Sequence, residues 1–261
     1  MRIEILVQNN NILLPIDQNY ILGAAVYNLL SCNKEFAEFL HNKGYVHKDS
    51  NRIFKFYTYS QLTGASRKII ENKISFNDNK LVWQVSSPVD DFIDFFAEGL
   101  LSQGYLKILD KELPILDVIT KKEPVFSNEM RFTCLSPIVA DLTNESGTNY
   151  LPFDDENINN VLESNLIRKY ETLFEEKYNS KIPFQITFDK NYIDKRNRKI
   201  YKLVKIKNIK VKGILCPFEL ICDPKLMEVA YSCGLGTKNS MGFGMIEEVK
   251  NKKIKGGGDN A

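Results

Sequence analysis

Residues 1–7 read as a strand, and a helical pattern of apolar positions follows from about Leu22 to His41. Phe54 to Tyr59 reads as a strand rich in aromatics, and Leu81 to Val85 as another. Ser87, Pro88, Asp90 and Asp91 then offer a cap, a first helical position and first-turn acids for a helix running to Leu101. Tyr105 to Leu109 closes this half as a strand. The order strand, helix, two strands, helix, strand is the ferredoxin-like split arrangement.

The second half repeats that order loosely. Met130 to Leu135 reads as a strand, interrupted at Pro137. Val161, Leu162, Leu166, Ile167, Tyr170 and Leu173 fall near helical spacing and predict a helix from about Ile158 to Tyr178. Strands are predicted at Phe184–Phe188, Ile200–Val211 and Ile214–Ile221, with a hairpin tip over Tyr192–Asn197. A short helix from Pro224 to about Ser232 and a glycine-rich stretch lead into a last strand, Gly244–Val249. The fold class is therefore α+β, with two tandem ferredoxin-like (RRM-like) domains of antiparallel sheet over residues 1–122 and 123–250. Residues 251–261, ending GGGDNA, read as a disordered tail.

Composition adds limits. The 261 residues, 43% hydrophobic and 26% charged, suffice for two modest cores. The formal charge is only +2, so any affinity for nucleic acid must come from local clustering. No apolar run is long enough for a membrane helix, and the first twenty residues lack a signal-peptide core. The five cysteines are scattered without a CxxC pair, which suits reduced thiols in a cytosol. With two histidines, His41 and His47, the inventory for a zinc site is poor, and neither metal nor cofactor is expected.

Chemistry concentrates in Gly234-Leu-Gly236-Thr-Lys238-Asn239-Ser240-Met-Gly242-Phe-Gly244. Glycines let a backbone approach phosphate and turn its N–H groups outward, Lys238 could add charge, and Asn239 and Ser240 could donate hydrogen bonds. The dinucleotide fingerprint fails at Asn239, and the Walker loop fails because Asn239 stands where its second glycine would be. A glycine-rich connection between helix and strand fits the same residues. A second concentration lies between Lys190 and Lys212, where ten basic residues face a single acid, Asp194. Arg196, Arg198, Lys199 and Lys202 are candidate phosphate contacts there; a solvated hairpin guarding a sheet edge is the plainer reading.

The Gly-hydrophobic-Gly, five residues, Gly-Phe-Gly signature near the C-terminus resembles that of the CRISPR repeat-processing endoribonucleases of the repeat-associated mysterious protein superfamily. Ala25-Val-Tyr27-Asn, Phe39-Leu-His41, Phe54-Lys55-Phe-Tyr-Thr-Tyr59-Ser and Leu135-Ser-Pro137-Ile occur in the family's order, so the resemblance spans nearly the whole chain. It implies two ferredoxin-like domains and cleavage of precursor CRISPR RNA within its repeats. The 2′-OH would attack the adjacent phosphate, leaving a 2′,3′-cyclic phosphate and a 5′-OH, without a metal ion. The partners it implies are CRISPR repeat RNA and other subunits of an effector complex, with no membrane, for a chain that is monomer or homodimer. A non-catalytic RNA-binding subunit with the same fold is the alternative.

The resemblance also implies a site of Tyr27, His41 and Lys55. His41 would move the proton, Lys55 would offset charge on the phosphorane, and Tyr27 would position the 2′-OH or phosphate. Tyr27 and His41 are fourteen residues apart. On one straight helix that is about 21 Å along the axis, too far to share a phosphate. The helix must therefore break, and Ser31-Cys32-Asn33 is the place, with Asn33 as cap. Read without the family, Tyr27 fits a core position, His41 a helix end and Lys55 the wet face of a strand; His47 is the rival histidine.

Overall fold

The computed structural model describes residues 1–145 and 147–249, so the predicted tail over 251–261 lies outside the described residues. The N-terminal sheet has the order Thr58–Tyr59, Lys80–Ser86, Arg2–Gln8, Lys111–Lys121, Tyr105–Ile108, every neighbouring pair antiparallel. Helices α1 (Asn19–Leu30), α2 (Lys34–Asn42) and α3 (Asp90–Gln103) complete this half. The second sheet runs Gln185–Phe188, Phe218–Ile221, Glu129–Cys134, Ile246–Glu248, again antiparallel. It is joined by α4 (Ile158–Phe174), α5 (Lys190–Lys195) and α6 (Pro224–Cys233). In each half the first strand lies between the third and the last, which is the ferredoxin-like arrangement. Among the described residues no helix is long and apolar enough to cross a membrane.

Each half has its own core. Trp83, Phe92 and Phe96 are buried in the first, with Phe92 stacked 4.8 Å from Tyr57. Phe132, Leu162, Leu166 and Phe218 are buried in the second. The halves are joined by buried polar contacts. Arg2, wholly buried on the first strand, donates to Glu247 and to the Tyr231 carbonyl, both at 2.8 Å, and lies 3.7 Å over the Tyr231 ring. Thr58 Oγ1 donates to the Phe243 carbonyl at 3.0 Å.

The break between α1 and α2 is present. Ser31 Oγ returns to the Asn28 carbonyl at 2.6 Å, and extended Asn33 accepts the Phe36 N–H at 3.0 Å. Other predicted elements differ. The strand expected over Phe54–Tyr59 is interrupted: Ile53–Phe54 pairs with Tyr45–Val46, Thr58–Tyr59 joins the main sheet, and Phe56 between them has φ +49°. The interruption sends Phe56 into the C-terminal core and Tyr57 into the N-terminal one. Helix α3 starts at Asp90 with extended Val89 as its cap residue, and Ser87, two residues before it, accepts the Val89 N–H at 3.1 Å while donating to the Phe56 carbonyl. Helix α4 stops at Phe174, where Glu175 turns left-handed. The tip predicted over Tyr192–Asn197 is helix α5 and its exit, because Asp189 accepts the Tyr192 N–H at 2.9 Å and starts a helix. The true hairpin pairs Tyr201–Ile206 with Ile209–Ile214 and turns at residues 207–208, so neither Ile200–Val211 nor Ile214–Ile221 is one strand.

Candidate active site

Three side chains from separate segments meet at the end of α2. The turn at residues 31–33 folds α2 back along α1, which brings the His41 ring 5.6 Å from that of Tyr27, edge to face. Lys55 lies in the linker between the two short strands. Its Nζ donates to the Tyr27 hydroxyl and to the His41 carbonyl, both at 3.1 Å. His41 is exposed, and its Nδ1 is 2.8 Å from Asn42 Oδ1. With the amide oxygen as acceptor, Nδ1 donates in this contact and Nε2 is the ring nitrogen it leaves unengaged. Tyr57 is fully buried; burial, reinforced by the neighbouring Tyr27 and Tyr59, holds its hydroxyl well above the usual phenol range.

The three residues stand on a ridge between two clefts. One, of about 430 Å³, lies between the domains and is lined by Lys43, Arg52, Lys55, Lys169 and Lys238 with no acid. The other, of about 480 Å³, runs along α1 and is more apolar. His41, Lys55, Tyr57 and Ser240 line both. Near the first cleft, burial and the Arg52 guanidinium lower the Arg168 pKa, with Glu171 opposing. A phosphate would relieve that repulsion between like charges.

The glycine-rich loop closes the floor. Gly236 and Gly242 both have φ +79°. A Cβ on Gly236 would lie 2.2 Å from the Val139 carbonyl oxygen, and one on Gly242 2.4 Å from the Tyr59 ring. Asn19 Nδ2 donates to the Met241 and Gly242 carbonyls at 2.9 and 2.7 Å, so the loop docks on the start of α1. The expectation that the glycines offer N–H groups to phosphate is corrected: Gly234, Gly236, Gly242 and Gly244 are buried. The Gly242 N–H is bound to the Asn239 carbonyl and the Gly244 N–H to the Pro137 carbonyl. Asn239 Nδ2 braces the loop from within by donating to Phe243 O at 3.0 Å. Lys238 pairs with Asp141 at 2.7 Å and stays 22% exposed, while Ser240 reaches both clefts.

Beneath the loop, Lys169 is buried on α4 and donates to the Gly234 and Gly236 carbonyls at 2.6 and 2.8 Å. Burial lowers its pKa to about 7 from the ordinary 10.5, against a raising effect of Cys233. Between those values the folded protein holds fewer protons at this site than the unfolded chain, so stability rises with pH across the window. Urea unfolding should show that rise above about pH 7, at most about 1.4 kcal/mol per pH unit, and a smaller rise in Lys169→Met. Equal slopes in the two proteins would contradict the assignment.

Two family models match the chain: CRISPR-associated protein Cas6, N-terminal, over residues 13–119, and CRISPR associated protein Cas6, C-terminal, over residues 121–248. A Methanocaldococcus jannaschii protein named CRISPR-associated endoribonuclease Cas6 1 is 33% identical, the alignment covering 98% of this chain and 97% of that protein. The chain belongs to the Cas6 family of CRISPR-associated endoribonucleases. A solved structure described as CRISPR associated protein Cas6 superposes with a TM-score of 0.74 at 31% identity, covering 96% of this chain and 99% of that one. The structure of a Cas6-related protein from Pyrococcus furiosus has the same fold, with a TM-score of 0.80 at 22% identity over 97% and 99% of the two chains.

On this Cas6 scaffold the other sequence candidates fall away from the ridge. Arg196, Arg198 and Lys199 are exposed but line neither cleft. Arg198 pairs with Asp154 at 2.6 Å and lies over Phe153, while Arg196 lies over Tyr192. Lys202 is turned inward and donates to the Ile16 carbonyl at 3.2 Å, which corrects its reading as a surface phosphate contact. It shares a strand face with buried Val204 and Ile206, and burial lowers its pKa despite Asp17. His47, the rival histidine, is buried and held by Ser50 at 2.9 Å and Glu171 at 3.0 Å, away from both clefts. His47, Asp49 and Glu171 lie close enough to share a cation, and Lys177 already bridges Asp49 and Glu171. Sequence reasoning missed Lys43, Arg52, Tyr57 and Lys169. Only Lys169 had a visible signal, as a charge on the apolar stripe of α4 one turn after Asn165 and Leu166.

Proposed function

We propose that this Cas6 chain cleaves precursor CRISPR RNA within its repeats by a metal-independent attack of the ribose 2′-OH. The observation that carries the reading is the convergence of His41, Tyr27 and Lys55 on a ridge whose two flanking clefts are lined by no acid among the described residues. A polyanion drawn into clefts of one sign would cross the ridge, setting a phosphate against a base, a hydroxyl and an ammonium. His41 Nε2 takes the 2′-OH proton as the 2′ oxygen attacks phosphorus. Lys55 offsets charge on the phosphorane and Tyr27 orients the phosphate, its hydroxyl already held by Lys55. The bond to the 5′ oxygen then breaks, and that oxygen leaves with a proton from solvent. Arg52 and Lys43 are the cleft cations that would hold the backbone beside the cut, with Asp141-paired Lys238, Asn239 and Ser240 at the loop rim.

The ends of the products test this scheme. Polynucleotide kinase should label the downstream fragment without prior phosphatase treatment, and the upstream fragment should carry a cyclic phosphate that acid opens. A 5′-phosphate on the downstream fragment would refute 2′-OH attack.

A further inference from the structure

We propose that the apolar cleft along α1 is a nucleobase pocket, which takes the unstacked base of one nucleotide flanking the scissile phosphate with Tyr20 as its stacking platform. This inference rests on the ridge being the cleavage site, since His41, Tyr27 and Lys55 form one end of the pocket. One wall is a single face of α1. Tyr20 and Tyr27 stand two turns apart, and Gly23 and Ala24 between them leave the helix surface nearly bare. The opposite wall comes from the other domain, as Ile206, Lys207 and Ile209 at the tip of the hairpin and Met241 of the glycine loop. The cleft, of about 480 Å³, has room for a purine and its ribose.

Its chemistry suits a base better than a phosphate chain. The walls are largely aromatic and aliphatic, no acid among the described residues lines them, and the charges are confined to Lys55 at the ridge and Lys207 at the rim. Tyr20 is 52% exposed, on the face of α1 opposite the core residues Leu22, Val26 and Leu29. The Lys207 ammonium lies over the Tyr20 ring, 5.4 Å from its centroid; a base stacking on that face would displace it toward the nucleotide's phosphate. Lys207 has φ +53°, so the turn presents its side chain at the tip. A flat aromatic surface backed by a cation is how proteins hold an unpaired base with little sequence preference. The base enters this pocket while the backbone on the other side of the cut enters the basic cleft. The nucleotides are thereby splayed across the ridge, which frees the 2′-OH to line up with the phosphate.

The test uses binding of cognate repeat RNA made uncleavable by a 2′-deoxy residue at the cut, followed by fluorescence anisotropy, with a set of such RNAs each abasic at one position. On intact RNA, Tyr20→Ala should weaken binding by about 5- to 150-fold, and Tyr20→Phe should stay near wild type. At one position next to the cut, removing the base should weaken wild-type binding and abolish the difference between Tyr20→Ala and wild type. An undiminished Tyr20→Ala effect on every abasic RNA, or a vanishing effect only at positions remote from the cut, would overturn the pocket. So would unaltered binding of intact RNA by Tyr20→Ala. Failure of the cleavage reading itself is seen separately, as fully ribose repeat RNA left intact by the wild-type protein.

Discussion

Replacing His41 with alanine is expected to slow single-turnover cleavage of cognate repeat RNA by about 10²- to 10⁴-fold, the usual loss for a removed general base. RNA affinity should change little, because the clefts draw their charge from Lys43, Arg52, Lys55, Lys207 and Lys238 and His41 only tops the ridge. The fold should be intact, since the ring is exposed and hydrogen-bonds to its chain neighbour Asn42. Pre-steady-state cleavage and anisotropy on the same preparation separate the two effects. Loss of binding in step with loss of rate would make His41 a binding residue, and unaltered cutting would remove it from the mechanism. His47→Ala provides the contrast. It should leave the rate constant for cutting nearly unchanged while loosening the domain contact to Glu171.

Gly236→Ala is expected to destabilise the protein by about 3 kcal/mol or more. Two causes act together. The residue sits at φ +79°, where a Cβ costs about 1–2 kcal/mol. The added carbon would also lie 2.2 Å from a main-chain oxygen of Val139, which cannot swing away as a flexible side chain would. The same backbone is tied by the Thr237 N–H to Val139 O at 2.9 Å and by Lys169 to the Gly236 carbonyl, so relief would pull on both. Chemical unfolding reads the loss. Cleavage should fall as well, because Lys238 and Ser240 are carried by this loop. A variant as stable as wild type would show that the loop tolerates a side chain there, and that the close approach is not what requires glycine.

The sequence carries much of this arrangement. The break between α1 and α2 could be read because Ser31 and Asn33 are residues whose side chains compete for backbone groups, and a straight helix could not bring Tyr27 to His41. The two ferredoxin-like orders followed from the succession of elements. The failures have physical causes too. Phe54, Phe56 and Tyr57 resemble a strand by composition, but they divide between two cores, a tertiary demand that local pattern does not carry. The ten basic residues of 190–212 formed one patch in sequence, whereas the fold scatters them. Lys202 faces inward, Arg198 is neutralised by Asp154, and Lys207 reaches the pocket beside α1. The glycines were visible as a motif that fitted either phosphate binding or a plain connection, and the contacts with Val139, Tyr59 and Asn19 that decide their need lie remote in the chain. Arg52 and Lys43 belong to a cleft that exists only once the domains are joined, and no local pattern marks them.

The central claim is that the 2′-OH at the ridge is the nucleophile and that protein side chains alone assist it. The most direct test is cleavage of end-labelled repeat RNA in excess EDTA, comparing fully ribose substrate with one carrying 2′-deoxy only at the scissile nucleotide. Ribose RNA should be cut at an undiminished rate in EDTA, and the deoxy substrate should bind without being cut at that position. Cutting of the deoxy substrate, or activity on ribose RNA that EDTA abolishes and a divalent cation restores, would contradict the claim.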